Sequence, residues 1–245
     1  MYTSTAEVFN NVSVKVTFTM DGVTYTQTFN VSGLVYAQIV LAAPASAEEA
    51  LAVGNMVRYV REALEAKEIT THDAAITALI GTANEDGSTT GGVYSLPAYI
   101  TEYPDVDKSD YSVLYDYVES ISYGMYGATP RLMVKFKEAA KTQNVECSFL
   151  INGVNPGTYP LTDSKTGEVQ FDGDMIRYTY NAKVYDIAHP VTITLTVPGV
   201  DGAEPTVITA TYSIGAYLAA NPDVEIVKAM YAFGVAAGDY RKTVK

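Results

Sequence analysis

One unit of sequence, in which alternating strands lead through a bend into an amphipathic helix, is present near both ends of the chain. In its C-terminal copy, a strand that ends at Thr211-Tyr-Ser213 is followed by a bend and by a predicted helix over residues 222–241. Asn221 is expected to cap this helix, and Pro222 has the φ angle that suits its first turn. The predicted buried face has spacings of four, three, four and three: Ile226, Met230, Phe233, Ala237 and Tyr240.

The N-terminal copy has the same order of elements. Residues 6–20 and 24–31 alternate between apolar and polar side chains around Asp21-Gly22, which predicts a β-hairpin. Ser46 and Glu49 form a capping box, which predicts a helix over residues 46–67. The matched residues of the two copies are Val14 with Val191, Val16 with Ile193, Phe18 with Leu195, Met20 with Val197, Gly22 with Gly199, Ser32 with Ser213, Tyr36 with Tyr217 and Met56 with Met230. A repeat this long indicates duplicated domains and not a solenoid of short repeats.

The duplication divides the chain into two predicted modules. The first, residues 1–127, is a partial or divergent β-rich module with the helix 46–67 and a tyrosine-rich insertion over residues 81–126. The second, residues 128–245, contains short alternating stretches separated by turn sequences, which is the pattern of a β-sandwich. The predicted fold class is therefore α+β, mainly β, with tandem Ig-like β-sandwich modules that are each closed by a C-terminal helix.

The last helix also contains a group of small residues. These are Gly234, Ala236, Ala237 and Gly238. Small side chains allow close contact, so we expect this helix to lie tightly on a sheet; a helix-pairing face is the alternative. Glycine lowers helix propensity, so the packing must compensate for it.

The charge of the chain limits its partners. A formal net charge of −12 argues against binding to nucleic acid or to an anionic membrane, since both require basic surface. No stretch has the character of a transmembrane helix, so membrane insertion is not expected. The single cysteine, Cys147, lies in strand-like sequence and is expected to be a buried, inert thiol.

The sequence contains no motif that predicts catalysis. Its two histidines, His72 and His189, lie at a predicted helix start and a predicted strand start, and neither is tied to a nucleophile by its spacing. The motifs of serine hydrolases, zinc proteases and phosphate-binding loops are absent. The prediction is that the chain is not an enzyme. A glycan-active hydrolase stays open as an alternative, because a pair of catalytic carboxylates meets in space and leaves no signal in the spacing.

An acidic stretch in the insertion is a candidate calcium site. Calcium prefers several carboxylate oxygens from one tight loop. The candidate ligands are Asp105, Asp107, Asp110 and Asp116. Asp110 occupies the sixth position of this stretch, where the usual calcium loop needs glycine. A solvated acidic loop is the alternative interpretation.

Tyrosines concentrate in the same insertion and are candidates for binding sugars. A tyrosine ring can stack on a pyranose ring while its hydroxyl stays hydrated. The candidate residues are Tyr94, Tyr99, Tyr103 and Tyr111. Packing in a β-rich core is the alternative, and the absence of tryptophan weighs against a sugar-binding face.

Three stretches of the C-terminal copy form a characteristic pattern. They are Ala182-Lys-Val-Tyr-Asp-Ile-Ala-His-Pro-Val-Thr-Ile-Thr-Leu, Tyr212-Ser-Ile-x-x-Tyr217 and Lys228-Ala-Met-Tyr-x-Phe-Gly-x-Ala-Ala-x-x-Tyr240. This pattern resembles a module that recurs in large secreted or wall-attached proteins of anaerobic Clostridia. The resemblance covers roughly residues 128–245 and, more weakly, residues 6–66. Its motifs are structural, so it carries over no catalytic or binding residue.

The resemblance implies a non-catalytic extracellular module of a bacterial cell-surface or secreted protein, with an adhesive or structural role. The implied location is outside the cell, either secreted or attached to the wall. The expected partners are a glycan or a host or cell-wall surface component, and neighbouring modules of the same longer chain, because the sequence begins within a strand-rich region. A carbohydrate-binding accessory module is the alternative function.

Overall fold

A computed structural model describes residues 9, 12–103, 111–126, 129–151, 158–161, 165–166, 169–179 and 184–244 of the chain. The chain divides into two compact units, Met1–Tyr99 and Ile100–Lys245. Both contain helices and antiparallel strands, so the predicted α+β class is confirmed. No helix in this described part of the chain is long and apolar enough to cross a membrane.

The boundary between the units lies earlier than the sequence predicted. It falls after Tyr99, whereas the predicted modules meet at residue 127. The strand Val118–Tyr126 explains the difference, because it pairs with the strand Thr129–Phe136. Strands that share a hydrogen-bonded ladder belong to one unit, so the predicted insertion over residues 81–126 is divided between the two units.

In the described part of unit 1, a β-hairpin is followed by helices. Its described elements are β1 (Val12–Met20), β2 (Val23–Val31), α1 (Gly33–Ala42), α2 (Ala47–Glu65), α3 (Asp73–Ile80), β3 (Thr82–Ala83) and β4 (Thr89–Thr90). The predicted hairpin is confirmed. Asp21 and Gly22 have φ angles of 51° and 76°, which are the positive values that a tight two-residue hairpin turn requires.

The two faces of this hairpin differ in chemistry. Strand pairing places Phe18 opposite Tyr25, and their rings stack at 5.2 Å between centroids. The other face is polar and is linked by cross-strand contacts such as Ser13 Oγ to Asn30 Oδ1 at 2.7 Å. Every residue of β2 is exposed, so the apolar face is open to solvent.

Serine caps begin both of the first two helices. The Ser46 hydroxyl accepts a hydrogen bond from the Glu49 amide at 3.1 Å, so the predicted serine cap is confirmed. The Glu49 carboxylate accepts from the amide of Ala45, one residue before the cap, and not from the Ser46 amide that the capping box requires. Ser32 caps α1 in the same way, through the Val35 amide. Helix α1 was not predicted, because its residues are almost all apolar and show no helical periodicity.

The core of unit 1 is built around α2. This helix packs against α1 and α3. Its buried apolar residues are Ala50, Ala52, Val53, Val57, Tyr59, Val60, Ala63 and Leu64. They lie in the core with Leu41 of α1 and with Ile76 and Ile80 of α3.

Unit 2 contains most of the β-structure. Its described strands are β5 (Val118–Tyr126), β6 (Thr129–Phe136), β7 (Glu146–Ile151), β8 (Thr158–Pro160), β9 (Lys165–Thr166), β10 (Val169–Asp172), β11 (Met175–Thr179), β12 (Val191–Val197) and β13 (Thr206–Tyr212). Its α-helices are α4 (Glu138–Thr142), α5 (Ile214–Ala220) and α6 (Glu225–Thr243), and 3-10 helices cover Tyr111–Leu114 and Val184–Ala188. Helices α4 and α5 were not predicted, and the structure has 39% helix and 31% strand, so strands do not dominate the fold as expected.

The strands of unit 2 form two antiparallel sheets. In the described residues, one sheet has the order β5-β6-β11-β10-β9 and the other the order β13-β12-β7-β8. Both contribute alternating residues to the core; these include Leu132, Val134, Phe136 and Ile176 from the first sheet and Cys147, Phe149, Val191, Ile193 and Leu195 from the second. Tyr123 of β5 also stacks on Tyr212 of β13 at 5.9 Å between centroids.

The start of the last helix differs from the prediction. Helix α6 begins at Glu225, and Asn221 does not cap it. Instead, Asn221 ends α5: its backbone amide donates to the carbonyls of Tyr217 and Leu218, and its side-chain amide donates to the Tyr217 carbonyl at 2.9 Å. Pro222 therefore lies in the turn between α5 and α6 and not in the first turn of a helix.

The buried face of α6 is also rotated from the predicted one. Of the five predicted residues, Met230 is buried, while Ile226, Phe233, Ala237 and Tyr240 are half-buried. The fully buried set is Ala229, Met230, Tyr231, Ala232, Gly234 and Ala236. The face is selected by the 3-10 helix Val184–Ala188, which packs against α6, and not by the apolar spacing alone. The small residue Gly234 therefore packs against this 3-10 helix, and not against a sheet as predicted.

The duplicated unit has the same order of elements in both parts of the chain. The succession β1-β2-α1-α2 recurs as β12-β13-α5-α6, and α2 and α6 each contain 19 residues. Ser213 caps α5 through the Ala216 amide at 3.0 Å, as Ser32 caps α1. The hairpin connections differ, since Asp21-Gly22 is replaced by a longer loop with Asp201 and Gly202 at φ 54° and 83°.

Candidate functional site

A groove runs along α6 where the 3-10 helix Val184–Ala188 lies against it. Gly234 allows this contact: a Cβ atom at that position would lie 3.2 Å from the Ala188 nitrogen and 3.3 Å from the Val184 carbonyl oxygen. Gly238 follows four residues later on the same side of α6, next to Tyr185. The small residues therefore bring the two helices close together and leave a depression beside them.

The groove has a volume of about 460 Å³. This is within the range of small-molecule sites. Its lining residues are Tyr185, Ala188, His189, Tyr231, Gly234, Val235, Gly238, Asp239, Arg241 and Lys242. Apolar ring and helix surface thus lies beside charged groups, a combination that can bind an amphipathic ligand.

The charged groups of the groove interact with other residues that line it. The guanidinium group of Arg241 lies 4.1 Å from the centre of the Tyr185 ring, which is a cation–π contact. Lys242 Nζ lies 2.8 Å from Asp239 Oδ1, but this pair is exposed and contributes little to stability. The groove therefore presents hydrogen-bond donors and an acceptor around an aromatic surface.

A second groove shares the lining residues Tyr231 and Val235 with the first. It also measures about 460 Å³, and its other lining residues are Ile100, Glu102 and Tyr103. Tyr103 meets Tyr231 edge to face, with 5.2 Å between ring centroids. Burial raises the pKa of Tyr103, and Lys228 offsets this only in part, so its hydroxyl stays protonated and can donate a hydrogen bond.

The candidate sugar-binding tyrosines occupy different environments. Tyr103 lies in the second groove, and Tyr94 is half-buried in unit 1, where its ring approaches Gly54. Tyr99 is 8% exposed, and its ring packs against Arg58, so it offers no open face to a sugar in this structure. Tyr111 begins the 3-10 helix Tyr111–Leu114. Of the three candidate tyrosines whose side chains the structure describes, Tyr103 and Tyr94 stay candidates for stacking on sugars.

The candidate calcium ligands fall mostly outside the described residues. Asp105, Asp107 and Asp110 lie there, and Asp116 is exposed just after the 3-10 helix Tyr111–Leu114. Among the residues that the structure does describe, no group of three His, Cys, Asp or Glu side chains is placed to hold a metal ion. The calcium site stays a prediction.

The two histidines and the cysteine lie in three different parts of the structure. His72 lies at the start of α3 and meets Phe9 edge to face at 5.8 Å. His189 lines the groove on α6. Cys147 is fully buried in β7, as predicted, and burial raises the pKa of its thiol far above the ordinary value, so it stays protonated and inert.

Sequence reasoning missed Tyr185, Tyr231 and Arg241 as groove residues. Tyr185 and Tyr231 were seen as parts of structural motifs, and Arg241 lies near the predicted end of the last helix. The available signal was the spacing of Gly234 and Gly238, which marks one side of α6 as a close-contact face. What that face contacts is not local information, so the groove could not be located from the sequence.

Comparisons of the chain with protein-family models, with curated proteins and with solved structures found no match.

Proposed function

We propose that this chain is a non-catalytic, extracellular module of a bacterial cell-surface or secreted protein, with a structural or adhesive role. The observation that carries the proposal is the duplicated unit, in which hairpin, serine cap, short helix and 19-residue helix occur in the same order twice. Duplication of a folding unit is a way to lengthen a scaffold, and it adds no chemistry by itself. The motif resemblance to surface proteins of anaerobic Clostridia supports the same role.

The proposal extends to the packing of unit 2. We infer that its two sheets face each other as an Ig-like sandwich, with α6 closing one end. The alternating burial along β12 supports this, because Val191, Ile193, Leu195 and Val197 are buried while the residues between them are half-exposed. The Tyr123–Tyr212 stack, which joins β5 to β13, also supports it.

The location and the absence of catalysis can be tested separately. An antibody against the full chain should label intact cells of the bacterium that encodes it, and cell fractionation should place the antigen in the wall or medium. Antigen confined to the cytosol would overturn the proposal.

Purified chain should also release no reducing ends from peptidoglycan or from a polysaccharide panel. Turnover that is lost in Asp239→Asn or Glu102→Gln would support the hydrolase alternative instead.

A carbohydrate-binding role is the second candidate, and the grooves beside Tyr231 favour it. Tyr103 and Tyr185 supply aromatic surface, while Asp239 and Arg241 supply hydrogen-bonding groups. Aromatic rings beside polar groups suit the apolar face and the hydroxyls of a sugar.

A glycan array with and without calcium tests this second role. A glycan bound in the groove should lose affinity in Tyr103→Ala. Tyr115→Ala is the matched control, because Tyr115 is 51% exposed and is not among the groove residues. Binding that is equal in both variants would place the sugar elsewhere. Binding that requires calcium would point to the acidic stretch that includes Asp116.

A further inference from the structure

The apolar face of the β1–β2 hairpin is an exposed surface of unit 1 that the groove on α6 does not explain. Strand pairing puts alternate residues of both strands on this one side. The apolar residues there, which are 43–56% exposed, are Val14, Val16, Phe18, Met20, Val23, Tyr25, Phe29 and Val31. A single hairpin is marginally stable in water, because one face of two strands buries too little apolar surface. A large exposed apolar patch usually marks an interaction site.

The internal duplication shows that the matching face is buried in the other copy. Val14 and Val16 correspond to Val191 and Ile193 of β12, which are 0% exposed. β12 pairs with β7 as well as with β13, and its apolar side belongs to the core of unit 2. The same pattern of side chains thus serves as a buried sheet face in one copy and is open in the other.

The charge of the hairpin permits contact between two copies of the chain. Over residues 12–31 the charged side chains are Lys15 and Asp21, so the hairpin is neutral within a chain of net charge −12. Lys15 lies on the polar face and Asp21 in the turn. Two copies that met through their apolar faces would therefore desolvate no charge on those faces.

The size of the face is also suitable. Eight half-exposed apolar side chains offer roughly 600–700 Å² per copy, close to the ~800 Å² that each partner buries in a standard interface. A two-fold dimer uses the same patch on both copies. The centre of the patch is the Val16–Gln27 pair, so the Gln27 side chains of the two copies would lie near the two-fold axis.

We propose that the apolar face of the β1–β2 hairpin is a dimer interface, and that its occupant is the same face of a second copy of this chain. The two hairpins pack face to face as a four-stranded, two-layered sandwich. The polar faces, with their threonine pairs, point outward to solvent. This association differs from the surface role proposed above, and either can fail without the other.

Sedimentation of the full chain at several concentrations tests the dimer. The wild type is expected to approach twice the mass of the chain as its concentration rises. Phe18→Lys places a charge at the interface, and the dissociation constant is expected to rise by roughly 100-fold or more. Thr17→Lys adds the same charge to the opposite face and should dimerise like the wild type. A wild type that stays monomeric, or a Phe18→Lys variant that dimerises normally, overturns the proposal.

Disulfide capture tests the geometry with less risk to the hairpin fold. The native Cys147 is buried, so a cysteine introduced at the surface reports its own contacts. Gln27→Cys should form a cross-linked dimer under oxidising conditions, because the position lies at the centre of the apolar face. Thr26→Cys, one residue away on the polar face, should remain uncross-linked. Equal cross-linking of both variants, or capture of Thr26→Cys alone, overturns the face-to-face arrangement.

Discussion

At the scale of single residues, Arg58 determines how the segment after α3 lies on α2. Its side chain is 1% exposed. Nη1 donates to the carbonyl oxygens of Gly87 and Pro97, both at 2.9 Å, and Nη2 donates to Asn55 Oδ1. The Tyr99 ring covers the guanidinium group at 4.3 Å. A buried cation is tolerated here because carbonyl oxygens and a ring face replace the water that it loses.

Replacing Arg58 is therefore expected to destabilise unit 1. Arg58→Met should lower the free energy of unfolding by about 2–4 kcal/mol, because it leaves buried carbonyl oxygens without donors. Arg58→Lys should lose nearly as much, since an ammonium group cannot reproduce the planar fork. Denaturant unfolding measures both changes. Arg61→Met, on the same helix, is the control. Arg61 bonds mainly to the neighbouring Glu62, so its replacement is expected to lower the free energy of unfolding by less. Equal costs for Arg58→Met and Arg61→Met would contradict this role.

Asp86 gives a prediction about pH. Its carboxylate accepts hydrogen bonds from the Ser88 hydroxyl at 2.6 Å and the Ser88 amide at 2.9 Å, and these bonds lower the pKa of Asp86 below its ordinary value of 3.8. A lowered folded-state pKa means that the stabilising effect is present above the unfolded pKa and is lost as the pH falls through the folded pKa. In an NMR titration, Ser88→Ala should move the Asp86 pKa upward toward 3.8. An unchanged pKa in Ser88→Ala would show that the side-chain bond is not the main cause.

At the scale of elements, helix ends are set by short-range chemistry. Ser32, Ser46 and Ser213 each accept a hydrogen bond from the amide three residues later, at 3.0–3.1 Å. This capping satisfies an amide that has no partner within the helix. It also explains why α2 could be located from the sequence to within a few residues. The unpredicted α1 and α5 carry the same cap but lack helical periodicity, so the serine alone did not identify them.

Loss of a serine cap should cost about 1 kcal/mol in each copy of the duplicated unit. Ser213→Ala is expected to lower the free energy of unfolding of unit 2, and Ser32→Ala that of unit 1, by similar amounts. Ser213→Asp should retain most of the stability, because aspartate also accepts from the helix amides. Thermal unfolding of the variants measures these differences. Equal loss in Ser213→Ala and Ser213→Asp would indicate that packing at this site, and not capping, accounts for the cost.

The contact between α6 and the 3-10 helix Val184–Ala188 predicts a strict size limit at Gly234. A Cβ atom there would lie 3.2–3.3 Å from Val184, Ile187 and Ala188, so the backbone must move by a few tenths of an ångström to admit it. Helix propensity alone favours alanine over glycine by about 1 kcal/mol. We expect Gly234→Ala to be neutral or destabilising, whereas Gly238→Ala, with 3.7 Å to Tyr185, should stabilise. Stabilisation of both variants to the same extent, measured by denaturant unfolding, would show that the contact is loose.

At the scale of the whole molecule, one sequence pattern is placed in two environments. Val14 and Val191 are matched residues of the duplicated unit, but Val14 is 44% exposed and Val191 is 0% exposed. The local structure is the same in both, since each lies on the apolar side of an antiparallel hairpin. The difference comes from packing on the sheet face, since the apolar side of β12 lies in the core of unit 2, whereas the apolar side of β1 is open to solvent.

The same substitution at these two positions should therefore have different effects. Val191→Ala is expected to lower the free energy of unfolding by about 2 kcal/mol, because it removes buried methyl groups and leaves a cavity. Val14→Ala should change it by less than ~0.5 kcal/mol in dilute protein, where the hairpin face is open. Unfolding at low concentration measures both. A cost at Val14 equal to that at Val191 would mean that the hairpin face is covered within the single chain.

The sequence by itself determined the hairpin, the serine-capped α2, the buried Cys147 strand and the duplication. Each depends on periodicity or on bonds between residues a few positions apart, which any sequence of that pattern forms. The tertiary structure alone decided the role of Asn221, the buried face of α6, the boundary at Tyr99 and the groove beside Tyr231. These depend on contacts between residues far apart in the chain. A helix that is apolar on several sides, or a strand that is apolar on one, has no local preference for its partner, so packing makes the choice.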